Sequence, residues 1–511
     1  MSIPCTITDL IGRGADDDPF LLAPDRPALS YRALRRLVGD TGQRLGEFGI
    51  GRNDRVAIVL PNGPEMAAAF IAIGAGATTA PLNPAYRTDE YRFYLNDLKA
   101  KALVVETGST SPAIAVAKEL GVSLIELKTT PSSPAGLFKL KGVASGEAGT
   151  PGPAEPQDIG LVLHTSGTTS RPKIVPLSQA NICASAHNIA TTLSLAPTDR
   201  CLNIMPLFHI HGLMAAVLAS LNAGSSIFCS PGFNALKFFA WLAEARPSWY
   251  TAVPTMHQAI LARAARNRTV IEEAALRLVR SSSSSLPPQV MAALEDTFGA
   301  PVIESYGMTE AAHQMASNPL PPAARKPGSV GLGAGPEVRI MDPDGTFLRP
   351  GETGEIVIRG SNVTDGYEAN PEANAESFTK GWFRTGDLGR FDVDGYLSIE
   401  GRIKEIINRG GEKISPREVD EILLDHPSVA QAVTFALPHD KLGEEVAAAI
   451  VLTEGARIAE DDIRAFARER LADFKVPRII VLVDEIPKGA TGKLQRIGLH
   501  EKLADKLAPA S

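Results

Sequence analysis

The stretch "TSGTTSRPK", which directly follows the apolar run "IGLVLH", contains residues that could bind phosphate. After a strand, a glycine-containing loop can direct backbone N–H groups and hydroxyls at phosphate oxygens, and Lys173 would add a positive charge. The stretch is not a Walker A loop, because Arg171 and Pro172 precede the lysine where that motif requires a glycine. On composition alone, it could equally be a polar surface loop.

Four later segments carry side chains that suit nucleotide chemistry: "ESYGMTE", "WFRTGD", "GRIKEIINRGGEKISP" and "PKGATGK". A tyrosine offers a flat apolar face to a base, a glutamate offers the oxygen ligand that Mg²⁺ prefers near phosphates, and an aspartate can accept hydrogen bonds from two hydroxyls. A lysine in a glycine-containing loop can move into a site and neutralise developing negative charge. Each also has an ordinary alternative: a core tyrosine, a solvated carboxylate, a turn aspartate or a surface lysine.

The hydroxyl-rich stretch, followed along the chain by these four segments, resembles the core motifs of the adenylate-forming superfamily. That superfamily comprises acyl-CoA synthetases, peptide-synthetase adenylation domains and firefly-type luciferases, and the resemblance extends over nearly the whole chain. It implies an AMP- and acyl-binding N-terminal domain, residues 1–403, and a small mobile catalytic domain, residues 404–511. It also implies two steps: a carboxylate attacks the α-phosphorus of ATP to give an acyl-adenylate and pyrophosphate, and the thiol of coenzyme A then displaces AMP.

The resemblance also implies which residues contact the nucleotide. The β- and γ-phosphates of ATP would be bound by Thr165, Ser166, Gly167, Thr168, Thr169 and Lys173. The other contacts would come from Glu304, Ser305, Tyr306, Gly307, Asp387 and Arg402. Within that set, Tyr306 would lie against the adenine, and Asp387 and Arg402 would contact the ribose.

Further roles implied by the resemblance concern catalysis and domain movement. Glu310 would hold Mg²⁺ and Lys493 would neutralise charge at the α-phosphate. The catalytic residues would be Lys493, Thr309, Glu310 and His209. Lys404 would act as the hinge between the domains, and Gly410 and Gly411 would border the channel for the pantetheine arm of coenzyme A.

The acid pocket implied by the resemblance is lined by the segments "RSSSSSLPP" and "MTEAAHQMASNPL". Ser283 stands where the superfamily often has alanine, and His313 lies three residues past Glu310. A hydroxyl and an imidazole together suit a second carboxylate or a carbonyl, whereas an alkyl chain would leave each unpaired at about 1–3 kcal/mol. His209 would gate this pocket and His211 has no assigned role. Alternatively, the serine run is a mobile loop and His313 points elsewhere.

The chain resembles one branch of the superfamily more closely, the oxalate–CoA ligases (oxalyl-CoA synthetases) of plants, fungi and bacteria. The segments that carry this resemblance are "LHTSGTTSRPK", "PLFHIHGL", "WYTAVPTMHQ", "MTEAAHQMASNPLPP" and "RKPGSVG". It implies that Ser283 and His313 contact the distal carboxylate of oxalate. Ser170 replaces a usual glycine and is shared with this branch; Ile174 also replaces a glycine and indicates altered loop packing.

Three functions remain open from the sequence. The first is an oxalate–CoA ligase that uses ATP, Mg²⁺ and coenzyme A. The second is an acyl-CoA synthetase for another acid, such as a malonate-like, medium-chain or aromatic one. The third is a non-catalytic binding or regulatory homologue, against which the intact Lys173, Glu310, Asp387 and Lys493 argue.

The elements around these residues predict an α/β fold. The segments "VAIVL", "TTAPLN" and "ALVVE" predict strands, separated by the helices "PNGPEMAAAFIAIGAGA" and "TDEYRFYLNDL", the latter capped by Thr88. Such alternation predicts a large domain of parallel-rich sheets covered by helices. Residues 129–158, rich in Pro, Gly and Ser, predict a surface connection.

The last third of the chain changes character. After Lys326 the sequence predicts a β-rich subdomain with turns at Asp344-Gly345 and Asp394-Gly395. From about Gly401, "SPREVDEILLDH" predicts a helix capped by Ser415, and the strands and second helix that follow predict a small α+β domain.

Composition restricts the class of protein. A chain of 511 residues is too long for one core, which predicts two or more domains. The net charge of −7 argues against a nucleic-acid partner, and four cysteines without CxxC spacing predict reduced thiols. No apolar run reaches the roughly 20 residues of a membrane span, and no signal peptide is visible, so we expect a cytoplasmic enzyme. Its oligomeric state, monomer or homodimer, stays open.

Overall fold

The fold is that of a computed structural model, which describes residues 4–130, 132–146, 148–165, 172–488 and 494–507. Its strands are, in chain order, β1 (Pro19–Leu22), β2 (Leu29–Ser30), β3 (Arg55–Val59), β4 (Thr78–Pro81), β5 (Ala102–Glu106), β6 (Ser123–Lys128), β7 (Lys139–Lys141), β8 (Ile159–His164), β9 (Ile174–Ser178), β10 (Arg200–Asn203), β11 (Ser226–Cys229), β12 (Trp249–Ala252), β13 (Leu278–Ser282), β14 (Val302–Met308), β15 (His313–Ser317), β16 (Leu332–Gly333), β17 (Glu337–Met341), β18 (Gly354–Arg359), β19 (Phe378–Thr379), β20 (Trp382–Phe391), β21 (Leu397–Arg402), β22 (Ile407–Arg409), β23 (Glu412–Ile414), β24 (Val429–His439), β25 (Gly443–Leu452) and β26 (Ile479–Leu482).

The helices follow the strands in alternation over the first 300 residues. They are α1 (Ile7–Ile11), α2 (Tyr31–Glu47), α3 (Pro64–Gly74), α4 (Thr88–Asp97), α5 (Ala113–Glu119), α6 (Gln179–Thr192), α7 (Ala219–Asn222), α8 (Phe238–Ala245), α9 (Pro254–Ala264), α10 (Arg268–Glu273), α11 (Pro288–Phe298), α12 (Pro371–Ser377), α13 (Pro416–Leu424), α14 (Glu460–Arg468), α15 (Leu499–Lys502) and α16 (Ala504–Leu507). A π-helix covers His211–Leu218, and 3₁₀ turns cover Thr309–Ala311, Ile403–Glu405 and Asp473–Lys475.

Two parallel-rich sheets form the large domain. One has the order β7-β6-β5-β3-β4-β8-β9, parallel except at its two edge strands. The other has the order β16-β15-β14-β13-β12-β10-β11-β1-β2, parallel from β14 to β1. Helices α3 and α6 contact strands of both sheets, so the main core lies between them. This confirms the predicted α/β class.

Helix α3 shows why this arrangement is stable. All its residues from Met66 to Gly74 are buried, as a helix that is apolar on every side requires. Its first residue is Pro64, which needs no N–H donor at that position. The run is therefore a buried core helix, as its length and composition predict. No helix in the described ranges is long and apolar enough to cross a membrane.

The remaining strands form two smaller sheets. An antiparallel sheet of β17, β18, β19, β20 and β21 is the predicted β-rich subdomain. The last sheet has the order β23-β22-β25-β24, with β26 beside β25, and carries α13, whose Ser415 cap accepts a hydrogen bond from the Glu418 N–H. The boundary predicted after residue 403 falls in the short connection, residues 403–406, between β21 and β22. The division into two domains at this point stays a prediction.

Two local predictions are wrong. The cap of α4 is Arg87 rather than Thr88, because the Arg87 N–H donates to the Glu90 carboxylate at 2.8 Å and Thr88 is already helical. The connection at 129–158 also contains a strand, β7, which pairs with β6. The alternation in "FKLK" buries Phe138 and Leu140, a pattern that outweighs the surrounding Pro and Gly residues.

Candidate active site

Tyr306, Asp387 and Arg402, predicted from three separate motifs to contact adenine and ribose, lie in one cluster. The buried Tyr306 at the end of β14 donates its hydroxyl hydrogen to Asp387 Oδ2. Asp387 and Arg402 are directly opposite each other in the β20–β21 ladder, and the Arg402 Nε lies 2.9 Å from Asp387 Oδ1. The two antiparallel strands therefore hold the carboxylate and the guanidinium in register next to the aromatic ring.

The electrostatics of this cluster favour hydrogen bonding to hydroxyls. Burial and the Asp387 carboxylate raise the pKa of the Tyr306 hydroxyl well above its usual value, so this hydroxyl stays a donor. The same carboxylate raises the pKa of Arg402. A carboxylate has about four acceptor positions, so Asp387 can accept bonds from a diol while Tyr306 and Arg402 hold it in place.

Tyr367 joins Lys173 and Glu310, the residues predicted to lie near the phosphates. The Thr165 N–H donates to the Lys173 carbonyl at 2.9 Å and the Lys173 N–H donates to the Thr165 hydroxyl at 3.2 Å, which closes the base of the hydroxyl-rich loop. The Lys173 ammonium lies 4.4 Å from the centroid of the Tyr367 ring, a cation–π contact. The Tyr367 hydroxyl donates to Glu310 Oε1 at 2.7 Å.

Glu310 is a buried carboxylate at the 3₁₀ turn Thr309–Ala311. Burial raises its pKa, against which the Tyr367 hydrogen bond and the charges of Arg402 and Lys173 act. A cation at this carboxylate would favour the ionised form further. Thr309 begins the turn, and its carbonyl accepts the Ala312 N–H at 3.0 Å.

Three other predicted nucleotide contacts lie along β14. Burial raises the pKa of Glu304 to about 7, and its Oε1 accepts the Leu286 N–H at 2.9 Å. The Ser305 hydroxyl donates to the Ser281 carbonyl at 3.4 Å. A Cβ at Gly307 would lie 1.9 Å from the His313 carbonyl oxygen, so only glycine allows β15 to approach β14 here.

The residues predicted for the acid, Ser283 and His313, meet around a third residue, His211. The His211 Nδ1 lies 2.9 Å from Ser283 Oγ, and the rings of His211 and His313 are 5.0 Å apart in an edge-to-face contact. Both imidazoles are buried. His209, the predicted pocket gate, accepts the His211 N–H on its Nδ1 at 3.2 Å. This polar cluster lies beside the cluster of Tyr306, Asp387 and Arg402, since His313 pairs with Met308 in the β14–β15 ladder.

Backbone conformation marks the same two residues. Ser283 has φ 75° and His313 has φ 100°, values in the left-handed region that side chains other than glycine rarely adopt. Such strain costs about 1–3 kcal/mol and is found mostly at functional sites. Ser283 therefore follows β13 in a strained backbone conformation; the alternative of a mobile serine loop stays untested.

The remaining predicted residues lie on the small domain or outside the described parts. Lys404 is exposed in the turn between β21 and β22. Gly410 and Gly411 form the turn from β22 to β23 with φ 60° and 97°. The others, Ser166, Gly167, Thr168, Thr169 and Lys493, lie outside the described residues; their roles stay predictions.

Sequence reasoning missed Tyr367 and left His211 without a role. Tyr367 follows a glycine in "TDGYEANPE", and an aromatic residue in such a polar turn was the available signal. His211 begins a π-helix in which every residue is buried, a helix type often found at functional sites. Ile174, the unusual residue after Lys173, packs in the core with β3 and β5 residues.

Comparisons with known proteins show which family this chain belongs to. Residues 12–368 match the AMP-binding enzyme family and residues 418–493 match the AMP-binding enzyme C-terminal domain. An oxalate–CoA ligase of Arabidopsis thaliana is 46% identical, covering 93% of this chain and 95% of that protein. An oxalate–CoA ligase of Saccharomyces cerevisiae is 42% identical, covering 96% and 95%. The crystal structure of ATP-bound MatB from Rhodopseudomonas palustris is similar with a TM-score of 0.88 at 28% identity over 99% of each chain. The predicted resemblance is confirmed, and this chain belongs to the AMP-binding enzyme family.

Proposed function

We propose that this protein is an AMP-forming acid–CoA ligase whose acid is oxalate. In the first step an oxalate oxygen attacks the α-phosphorus of ATP, the bond to the β-phosphate breaks and pyrophosphate leaves. In the second step the sulfur of coenzyme A attacks the acyl carbon of the adenylate, and AMP leaves with the bonding electrons. The AMP-binding family and the near full-length oxalate–CoA ligase relatives support this reaction.

The observation that carries the choice of oxalate is the buried polar cluster of Ser283, His211 and His313. An acid that presents a second carboxylate would accept hydrogen bonds from the Ser283 hydroxyl and the His313 imidazole, while His211 is already paired with Ser283 and Thr251. An alkyl or aryl chain in the same volume would not form these bonds, at a cost of about 1–3 kcal/mol for each polar group. The backbone strain at Ser283 and His313 further supports a binding role for both.

The nucleotide would bind to the two clusters near the C-terminal end of β14, one around Tyr306 and one around Glu310. Asp387 and Arg402 would hold the ribose hydroxyls, with the adenine against Tyr306. Lys173 would act on the triphosphate from the base of the hydroxyl-rich loop, as a point charge. Because Tyr306 and Arg402 already fix the Asp387 carboxylate, little side-chain order would be lost when the ribose binds.

The residues at the phosphate end fit Mg²⁺. Mg²⁺ prefers oxygen ligands and is usually held by one or two carboxylates together with substrate phosphates. Glu310 supplies such a carboxylate, whose raised pKa a cation would counteract. Bound there, Mg²⁺ would neutralise phosphate charge. Tyr367 would keep the Glu310 carboxylate oriented by its hydrogen bond.

The small domain would supply the last groups. Lys493 would neutralise the charge that develops at the α-phosphate during adenylation. Movement about Lys404 would then withdraw it, and the turn of Gly410 and Gly411, which has no side chains, would border the channel for the pantetheine arm.

A panel of acids tests this proposal directly. Purified protein with ATP, Mg²⁺ and coenzyme A is expected to release AMP fastest with oxalate, compared with malonate, hexanoate and benzoate at equal concentration. Faster release with hexanoate or benzoate would refute the oxalate assignment and leave a ligase for another acid. If none of the four acids leads to AMP release, the enzyme assignment is refuted. Lys493→Ala, assayed in parallel, controls for contaminating activity.

A further inference from the structure

Arg280 is a fully buried cation below the acid cluster. It lies in the middle of β13, every residue of which is buried. Burial lowers its pKa to about 9, so it remains charged at neutral pH. In the described part of the chain the structure shows no carboxylate in an ion pair with its guanidinium, and its Nε has no hydrogen-bond partner. A buried charge without a counter-charge is costly, which points to a specific role.

The guanidinium contacts the polar residues beneath Ser283. Its Nη1 lies 3.4 Å from His211 Nε2 and 3.4 Å from Thr251 Oγ1, and its Nη2 donates to Gln314 Oε1 at 3.3 Å. Arginine can only donate hydrogen bonds. A hydrogen bond from Nη1 to His211 uses Nε2 as the acceptor. The Thr251 hydroxyl lies 2.6 Å from the same nitrogen. It can accept a hydrogen bond from Arg280 and donate one to His211 Nε2, which gives Nε2 the same acceptor role.

These donor and acceptor roles specify which ring nitrogen of His211 carries the hydrogen. A second positive charge so close to Arg280 in a buried site is opposed by Coulomb repulsion, which favours a neutral imidazole. In a neutral imidazole one nitrogen accepts and the other carries the hydrogen. With Nε2 as the acceptor, the hydrogen is on Nδ1, which lies 2.9 Å from Ser283 Oγ. Ser283 then accepts from His211, and its own hydroxyl hydrogen must point to another acceptor.

We propose that Arg280 is a positioning residue that fixes the tautomer of His211 and thereby makes Ser283 a hydrogen-bond donor to the distal carboxylate of the acid. This rests on the proposed function for the identity of that carboxylate. An acid with a carboxylate there accepts the hydrogen, and an acid with a donor in the same place does not. Arg280 thus acts on acid selection through two other side chains, without contacting the acid.

A double-mutant cycle tests whether Arg280 acts through Ser283. Arg280→Met removes the charge and keeps an unbranched side chain, and Ser283→Ala removes the hydroxyl. Each is expected to lower kcat/KM for oxalate about 10- to 100-fold, while KM for ATP changes less than about twofold. In the double variant the loss should exceed that of Ser283→Ala by less than about twofold, because the two residues form one unit.

Two further variants separate positioning from general packing. Arg280→Lys keeps a charged donor and is expected to retain more oxalate activity than Arg280→Met. Arg277→Met removes a cation just before the same strand, where Arg277 pairs with Asp199 at 3.0 Å. This variant is expected to change kcat/KM for oxalate by less than about twofold. A double-variant loss equal to the product of the single losses, or an equal loss in Arg277→Met, would overturn the proposal.

The tautomer itself is measurable in the unmodified protein, so the proposal does not depend on whether the variants fold. In ¹⁵N-histidine-labelled protein, with His211 assigned by comparison with His211→Gln, Nε2 should show the shift of an unprotonated nitrogen and Nδ1 that of a protonated one. The opposite assignment would overturn the proposal even if oxalate is the substrate. Conversely, if the acid panel rejects oxalate while the tautomer is as expected, only the proposed substrate fails.

Discussion

Replacing Tyr367 by phenylalanine isolates one hydrogen bond of the candidate site. The hydroxyl of Tyr367 donates to Glu310 Oε1 at 2.7 Å, while its ring supports the Lys173 ammonium at 4.4 Å. Tyr367→Phe keeps the ring and therefore keeps the cation–π contact. The substitution removes only the donor that orients the buried carboxylate proposed to hold Mg²⁺.

The size of the effect follows from the charge on Glu310. A hydrogen bond to a charged group contributes about 1.5–3 kcal/mol, and burial already raises the pKa of Glu310. Without the hydroxyl, this pKa rises further, because the hydrogen bond favoured the ionised form. Since about 1.4 kcal/mol corresponds to a tenfold change in rate, kcat/KM for ATP is expected to fall about 10- to 100-fold. The Mg²⁺ concentration needed for half-maximal rate should rise.

The chain offers a matched control for this substitution. Tyr396 also has a lysine ammonium near its ring, Lys326 at 4.3 Å, and its hydroxyl also donates a hydrogen bond, to the Ala324 carbonyl at 2.7 Å. Tyr396→Phe should leave kcat/KM for ATP within about twofold. Rates are measured as ATP–pyrophosphate exchange with the preferred acid, which reports adenylation alone.

Two results would refute this reasoning. Unchanged exchange in Tyr367→Phe would show that the hydroxyl does not orient a group needed for adenylation. An equal loss in Tyr396→Phe would show that the effect is one of stability. Thermal unfolding of both variants, at the same protein concentration, separates the second case.

Four further predictions follow from the site. Ser283→Ala should lower kcat/KM for oxalate about 10- to 100-fold, measured by AMP release; unchanged turnover would show that this hydroxyl does not contact the acid. Because burial raises the pKa of Glu304 from 4.5 to about 7, its ionisation costs stability as pH rises through that window. Glu304→Gln cannot ionise, so its free energy of unfolding relative to the wild type should increase by up to about 3 kcal/mol between about pH 5 and pH 8. A difference in unfolding temperature that stays constant over this pH range would contradict the prediction. Gly307→Ala would place a Cβ 1.9 Å from a carbonyl oxygen of β15 and should lower the free energy of unfolding, measured in urea, by more than about 2 kcal/mol. Gly42→Ala in α2 should not, because beyond the adjacent helix backbone no atom lies within 4 Å of its Cβ. Lys493→Ala should abolish adenylation but spare thioester formation from a preformed adenylate, and equal loss of both would contradict its proposed role.

Much of the fold could be predicted because its patterns are local. The run from Met66 to Gly74 is too short for a membrane and too apolar for a surface, so only a buried helix fits. Ser415 followed by Pro416 indicates a helix start that the structure confirms. Thr88 shows the limit: hydroxyl capping by Thr88 and charge capping by Glu90 compete, and the sequence does not say which one wins.

The site was harder to predict, because its contacts join distant parts of the chain. The motifs predict Tyr306, Asp387 and Arg402 as separate nucleotide contacts, but only the β20–β21 register shows that Arg402 pairs with the Asp387 carboxylate. Tyr367 connects Lys173 to Glu310 from a turn with no motif of its own. Such contacts depend on how two sheets and a subdomain pack, and no local pattern encodes that.

The buried charge of Arg280 has a consequence for engineering and evolution. Replacing buried ionic groups by apolar side chains of similar size is often neutral or stabilising by about 1–4 kcal/mol, and Arg280 lacks even a compensating carboxylate among the described residues. A library of variants selected only for heat resistance is therefore expected to discard arginine at this position. Selected for growth on the acid, the same library should retain it. The difference between the two selections at this position would measure how much stability the protein loses by keeping the arginine for acid selection.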